Sequence, residues 1–281
     1  MILVTGAKGQ LGSDVCDILN NENKAFLGVD IDTLDITDKK AVKKLFLENS
    51  FDAVIHCAAY TAVDKAEDDY ITCFEANCTG TLNLAECAKE RDIKFIYIST
   101  DYVFDGEGAE PFETDSLPDP VNTYGKSKLM GEEAVKGLCK KHFIVRTSWV
   151  FGEKNTNFIN TMLKLSEGRD FVKVVCDQVG SPTYAKHLAK LICQMIETEK
   201  YGYYHATNEG FCSWFDFCKK AYELCGVETE VLPVTSEEFP TKAKRPLNSR
   251  LSKRSLTENG FTLLPPWEDA LKEYLINTKR I

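Results

Sequence analysis

Apolar and polar positions along the first half of the chain fall into two rhythms. Short continuous apolar runs, "MILVTG", "KAFLGVD", "FDAVIHCAA" and "IKFIYIST", have the length and β-former content of buried strands. Between them the apolar positions recur at helical spacing. "QLGSDVCDILN" places Leu11, Val15, Ile18 and Leu19 on one face, and "DKKAVKKLFLEN" reads as a second helix with Asp38 as its N-cap. A long helix is expected from about Ala66 to Glu90, another over "NTYGKSKLMGEEAVKGL", and a fifth strand over "HFIVRTSWVFG".

Strands that alternate with helices in this way form βαβ units. They predict an α/β fold, a Rossmann-like doubly wound parallel sheet whose ligands bind at the carboxyl ends of its strands. After about residue 150 the rhythm loosens into proline-containing pieces such as "FPTKAKRPLNSRLS" and "LLPPWEDAL". The expected division is a first domain over 1–150, with a returning segment near 170–210 because "YGYYHATN" reads as one more strand of the large sheet. Residues 151–281 would then form mainly a smaller, mixed C-terminal domain for substrate.

Composition narrows the class without changing this picture. Hydrophobic residues make up 43% and charged residues 27% of the 281, ordinary for a globular protein. A net charge of −9 argues against nucleic acid as a partner, because phosphate backbones demand a basic footprint. No apolar run reaches the roughly 18 residues of a membrane span, and the start lacks the basic and apolar regions of a signal peptide. The eleven cysteines are odd in number and include no CxxC pair, so they read as reduced thiols used as small hydrophobes. A cytoplasmic protein is expected. His56, His142, His187 and His205 are scattered and read as mostly structural, with no metal-ligand pattern.

The candidate chemistry starts at "VTGAKGQLGSDV". Gly6, Gly9 and Gly12 stand between the first strand and the first helix. There Gly6 permits a sharp turn, Gly9 a close approach by a pyrophosphate, and Gly12 tight packing of the helix on the sheet. The helix start near Gln10 points N–H groups at the phosphates. A βα turn without a ligand would carry the same glycines, but their position in a βαβ unit favours a dinucleotide. Asp30, at the end of the second strand, is placed to accept from the adenosine ribose hydroxyls and to repel a 2′-phosphate. Asp35, in "LDITD", is placed to meet the adenine. Either acid could instead be a solvated loop residue.

Tyr124 and Lys128 lie four apart on the expected helix and share a face. A neighbouring ammonium would lower the phenol's pKa and let Tyr124 exchange a proton with a carbonyl or alcohol oxygen. Lys128 could also hold a nicotinamide ribose. The fourth strand ends in Ser99-Thr100-Asp101, at the edge where a ligand would sit, and Thr100 can donate to the oxygen that Tyr124 protonates.

These motifs, with "AAYTAVDKAE", "STDYVFDG", "YGKSKLMGE", "RTSWVFG" and "RPLNSRLS", resemble the dTDP-4-dehydrorhamnose reductases of the extended short-chain dehydrogenase/reductase superfamily. The resemblance runs over nearly the whole chain. It implies reduction of the C4 ketone of dTDP-4-dehydro-L-rhamnose by NADH or NADPH, with Thr100, Tyr124 and Lys128 as the catalytic triad. It further implies that Gly9, Gln10 and Leu11 hold the pyrophosphate, Asp30 and Asp35-Ile36 the adenosine, and Ala58-Ala59-Tyr60 the middle of the cofactor. Asp101 and Trp149 would line the sugar, and Arg245 and Asn248 would face the nucleotide end. A homodimer and a magnesium ion (Mg2+) are also implied. Asp14 stands, one methylene shorter, where one carboxylate ligand would be, and no other ligand is identifiable.

Two other readings are compatible with the motifs. One is a sugar-nucleotide epimerase or 4,6-dehydratase of the same superfamily. The related dehydratases follow their threonine with an Asp-Glu pair, whereas here Thr100 is followed by Asp101 and Tyr102. The other is a non-catalytic cofactor-binding partner, like the regulatory subunit of methionine adenosyltransferase, against which the intact Thr100, Tyr124 and Lys128 argue.

Overall fold

A computed structural model describes residues 1–281. The first half contains, in order, β1 (Ile2–Thr5), α1 (Gln10–Asn21), β2 (Phe26–Val29), α2 (Lys39–Glu48), β3 (Ala53–His56), α3 (Val63–Ala66), α4 (Tyr70–Phe74), α5 (Thr81–Arg91), β4 (Lys94–Thr100), α6 (Thr123–Leu138) and β5 (His142–Thr147). The second half continues with β6 (Val150–Phe151), α7 (Phe158–Ser166), β7 (Phe171–Val175), β8 (Val179–Gly180), β9 (Thr183–Tyr184), α8 (Ala185–Met195) and β10 (Gly202–His205). It closes with β11 (Cys212–Ser213), α9 (Trp214–Cys225), β12 (Glu230–Val234), β13 (Asn248–Ser249), α10 (Arg254–Glu258) and α11 (Trp267–Asn277).

Six strands form one parallel sheet in the order β10-β5-β4-β3-β1-β2. The chain winds outward from β1 to β2, then returns to place β3 on the other side of β1. That reversal opens a crevice at the carboxyl ends of the strands. Successive strand residues point to opposite faces. Val4, Ile55, Ile96, Phe143 and Val145 therefore pack on one side with Val15, Leu19, Leu188 and Ile192 of α1 and α8. Leu3, Val54, Phe95, Tyr97 and Ile144 pack on the other with Val42, Leu84 and Val135 of α2, α5 and α6. Asp38 caps α2 as the sequence predicts, its carboxylate accepting from the Lys40 and Ala41 N–H groups.

Three expectations need correction. The helix predicted from Ala66 begins earlier, at Val63, and is interrupted. Glu67 at the break accepts from the Thr123 N–H and hydroxyl, which ties it to the start of α6. Residues Glu75–Gly80 then form a π-helical turn before α5, a feature common at functional sites. The fifth strand stops at Thr147, because Trp149 takes a left-handed backbone with φ +49° and Val150–Phe151 pairs instead with β9. The segment that returns to the large sheet is shorter than 170–210. It comprises α8, against α1, and β10, beside β5, whereas Phe171–Val175 pairs with Glu230–Val234 in the second half.

Candidate active site

The crevice at the switch point is a cleft of about 950 Å³. Its first wall is the loop between β1 and α1. Gly6 has φ +67°, and a Cβ there would lie 2.6 Å from the Ala58 nitrogen. A Cβ on Gly12 would come within 2.0 Å of the Gly6 carbonyl oxygen. Gly9 gives α1 no side-chain cap, so the first-turn N–H groups are left for an anion. Gln10 and Leu11 line the cleft, and Gln10 Oε1 is buried without a partner. This cradle fits a pyrophosphate.

Asp30 stands at the end of β2 with its carboxylate accepting from the Lys8 and Ile31 N–H groups, both at 2.8 Å. Asp35 accepts from the Thr37 N–H and hydroxyl, and both Asp35 and Ile36 line the cleft. Ala58, Ala59 and Tyr60 follow β3 along the same wall. The Tyr60 backbone is clamped by Asn77 from the π-helical turn, which accepts from its N–H at 2.8 Å and donates to its carbonyl at 3.1 Å. Asn77 also donates to the Ser127 hydroxyl of α6.

At the carboxyl end of β4 the three polar residues divide their work. The Ser99 hydroxyl donates to Glu132 at 2.5 Å, and Glu132 forms a two-pronged pair with Arg146 at 2.9 and 2.7 Å, all of it buried. Ser99 is therefore a strut between β4, α6 and β5. Thr100 and Asp101 face the cleft with their hydroxyl and carboxyl joined at 3.1 Å. Asn122 caps α6 by accepting from the Gly125 N–H. Gly125 is obligatory, since a Cβ would meet the Tyr102 carbonyl oxygen at 2.1 Å. That close approach seats the first turn of α6 on residues Asp101–Val103 and brings Tyr124 to Thr100. The Tyr124 ring meets Tyr102 edge-on at 5.7 Å, and Lys128 Nζ lies 4.1 Å over the Tyr97 ring.

Burial dominates the electrostatics here. It pushes the Tyr124 phenol well above its ordinary value, opposed by the Thr100 hydroxyl. It lowers Lys128 to about 7, opposed by Glu132. The expectation that Lys128 would pull the Tyr124 pKa down is thus overturned: desolvation penalises both charged forms. Burial also raises Asp101 to about 6, opposed by the Ser249 and Thr100 hydroxyls. Asp101 Oδ2 and Thr147 Oγ1, both in the cleft, are buried with no hydrogen-bond partner. Such orphans mark places where a ligand's polar groups belong.

The remaining candidates scatter. Trp149 lines the cleft, stacked on Trp214 with ring centroids 3.8 Å apart. Arg245 does not line the cleft; it pairs with Asp64 at 3.0 and 2.8 Å and lies beside Tyr102. Asn248 does not reach the cleft. It is buried, and its amide donates to the Glu107 and Glu110 carbonyls while its oxygen accepts from Arg250. Asp14 is raised to about 6 by burial, with Glu153 adding to the shift, and its Oδ2 has no partner. No three His, Cys, Asp or Glu side chains converge within the chain, so one copy alone does not fit a metal at Asp14. Sequence reasoning missed Trp214 and Asn77, and it weighed Tyr102 only as the residue standing where the dehydratases carry a glutamate. Only Trp214 left a trace, since Ser213 and Asp216 are spaced as the two ends of a helix-capping pair.

A phosphate cradle at the switch point and a Tyr-xxx-Lys helix facing a threonine hydroxyl, in one cleft, define an extended short-chain dehydrogenase/reductase. The family model for the RmlD substrate binding domain matches residues 1–280. The chain belongs to this family, that of the dTDP-4-dehydrorhamnose reductases. It is 39% identical to the spore coat polysaccharide biosynthesis protein SpsK of Bacillus subtilis, over 98% of this chain and 96% of that one. It is 38% identical to the dTDP-4-dehydrorhamnose reductase of Aggregatibacter actinomycetemcomitans, over 96% and 97%. Among solved structures, a dTDP-4-dehydrorhamnose reductase from Clostridium acetobutylicum superposes with a TM-score of 0.97 at 42% identity, covering 99% of each chain. One from Bacillus anthracis, in complex with NADP, gives 0.96 at 42%, also over 99% of each.

Proposed function

We propose that this protein reduces the C4 ketone of dTDP-4-dehydro-L-rhamnose to the alcohol of dTDP-L-rhamnose, using NADH or NADPH. The carrying observation is that Thr100, Tyr124 and Lys128 line the same cleft as the glycine cradle. A nicotinamide held in this cleft would supply the hydride. The residues of the chain bind, orient and protonate. Gly9, Gln10 and Leu11 hold the pyrophosphate, and Asp30 accepts from the adenosine ribose. The Tyr124 phenol, kept protonated by burial, gives its proton to the oxygen that was the ketone, while Thr100 donates to the same atom and fixes its direction. Lys128 holds the nicotinamide ribose. Asp101 and Trp149 take the sugar, Arg245 serves the nucleotide end through Tyr102, and residues after 150 provide most of the substrate's surroundings.

The dehydratase alternative is disfavoured at Tyr102. Elimination needs a second acid or base beside the tyrosine, and burial raises the Tyr102 phenol, which keeps it protonated and so unavailable as a base. The exact sugar is a separate matter, because a 34% identical relative from Streptomyces niveus is named a dTDP-4-keto-6-deoxy-D-glucose reductase. Presenting both ketosugars and measuring turnover and product mass decides between them. Failure to reduce either, with cofactor bound, would favour the non-catalytic partner reading.

A further inference from the structure

One wall of the cleft is built from two indoles, Trp149 and Trp214, that come from segments 65 residues apart in the chain. Thr147 is the register partner of Thr100, so Trp149 lies two residues beyond the strand end that faces the catalytic hydroxyls. Its φ of +49° is a costly conformation for a bulky residue and persists only where the surroundings enforce it. Three contacts enforce it. The Trp149 carbonyl accepts from the Thr183 N–H at 3.2 Å. Gly180 leaves room for the ring, since a Cβ there would lie 3.1 Å from the indole carbons. Trp214 stacks on the indole at 3.8 Å with the planes 15° apart. Trp214 is itself fixed: it opens α9 directly after Ser213, whose reciprocal cap with Asp216 pins the turn, and Phe158 backs it at 4.5 Å.

From this geometry we infer that Trp214 is a positioning residue for the ketosugar. It holds the Trp149 indole as a rigid apolar platform against which the C–H face of the hexose packs, presenting the ketone to Thr100 and Tyr124. The inference rests on the ketosugar-reductase reading above. A platform whose orientation is set before binding spares the ordering cost that a free indole would incur. Trp214 acts through Trp149, so its effect vanishes once the Trp149 ring is gone.

The test is a double-mutant cycle. Trp214→Leu keeps apolar volume but removes the stacking face, and Trp214→Met is the substitute should the leucine variant not fold. Either raises the KM for the ketosugar about tenfold, the upper end of what a stacked aromatic pair is worth, with NADPH affinity unchanged. Trp214→Phe recovers most of the loss. In a Trp149→Ala background, Trp214→Leu adds less than about twofold. Unchanged ketosugar KM in a folded Trp214→Leu protein, or losses that multiply in the double variant, overturn the inference and leave the reductase reading standing. Wild-type protein that neither binds nor reduces the ketosugar overturns both.

Discussion

At the residue scale, desolvation sets the protonation of the cleft. A reduction needs a proton donor, and burial keeps the Tyr124 phenol protonated, as the proposed role requires. Tyr124→Phe removes only the hydroxyl, so cofactor affinity stays near wild type while turnover falls by about 10²–10⁴-fold, the usual worth of a positioned acid. Steady-state kinetics with a fluorescence titration checks both; near-normal turnover would remove Tyr124 from its role. Lys128 makes a prediction about pH. Its folded pKa, about 7, lies below its ordinary value of 10.5. Between those values the unfolded chain binds a proton there that the folded chain does not, so this residue's contribution to stability rises with pH across the window. At neutral pH and below it opposes folding. Lys128→Met therefore raises the melting temperature of the cofactor-free protein near pH 7, by an increment that shrinks toward pH 10, while turnover is lost. A variant less stable than wild type at pH 7 would contradict this. Asp30 bears on cofactor choice in the proposed reading, because a carboxylate at the end of the second strand can accept from ribose hydroxyls and repels a phosphate. Asp30→Ala weakens NADH more than NADPH; an unchanged affinity ratio would show that Asp30 does not select. Residues at fixed offsets from strand ends, such as Gly6, Asp30, Thr100 and Tyr124, were legible in the sequence. The protonation states were not, because burial depends on packing that no local pattern records.

At the element scale, β4, α6 and β5 are tied by the buried Ser99, Glu132 and Arg146 network, and Arg146 also lies 4.9 Å over the Phe104 and Tyr203 rings. Glu132→Ala would leave the guanidinium buried and unpaired, at a cost of about 3–5 kcal/mol. Chemical denaturation reads this directly, and a loss under about 1 kcal/mol would show that water or another group compensates. The strand and helix rhythm of the first half was readable because each strand faces apolar helices on both sides. The interruptions were not. Glu67 breaks one helix to reach Thr123, Trp149 ends the fifth strand against β9, and Asn248 spends its amide on the loop after Gly106. Each answers to a partner more than thirty residues away in sequence.

At the scale of the whole molecule, the two halves enclose one cleft with the Gly6–Gly12 loop at one part of its wall and Thr100, Tyr124 and Lys128 at another. In the proposed reading this cleft performs a net reduction and releases an oxidised cofactor. Lacking a second acid or base after Asp101, it has no means for elimination. The most direct measurement supplies dTDP-4-dehydro-L-rhamnose with NADH or NADPH and follows cofactor absorbance together with product mass. One reduced cofactor should be consumed per product formed, with the sugar nucleotide heavier by two hydrogens. Epimerised or dehydrated sugar with no net consumption of cofactor would contradict it.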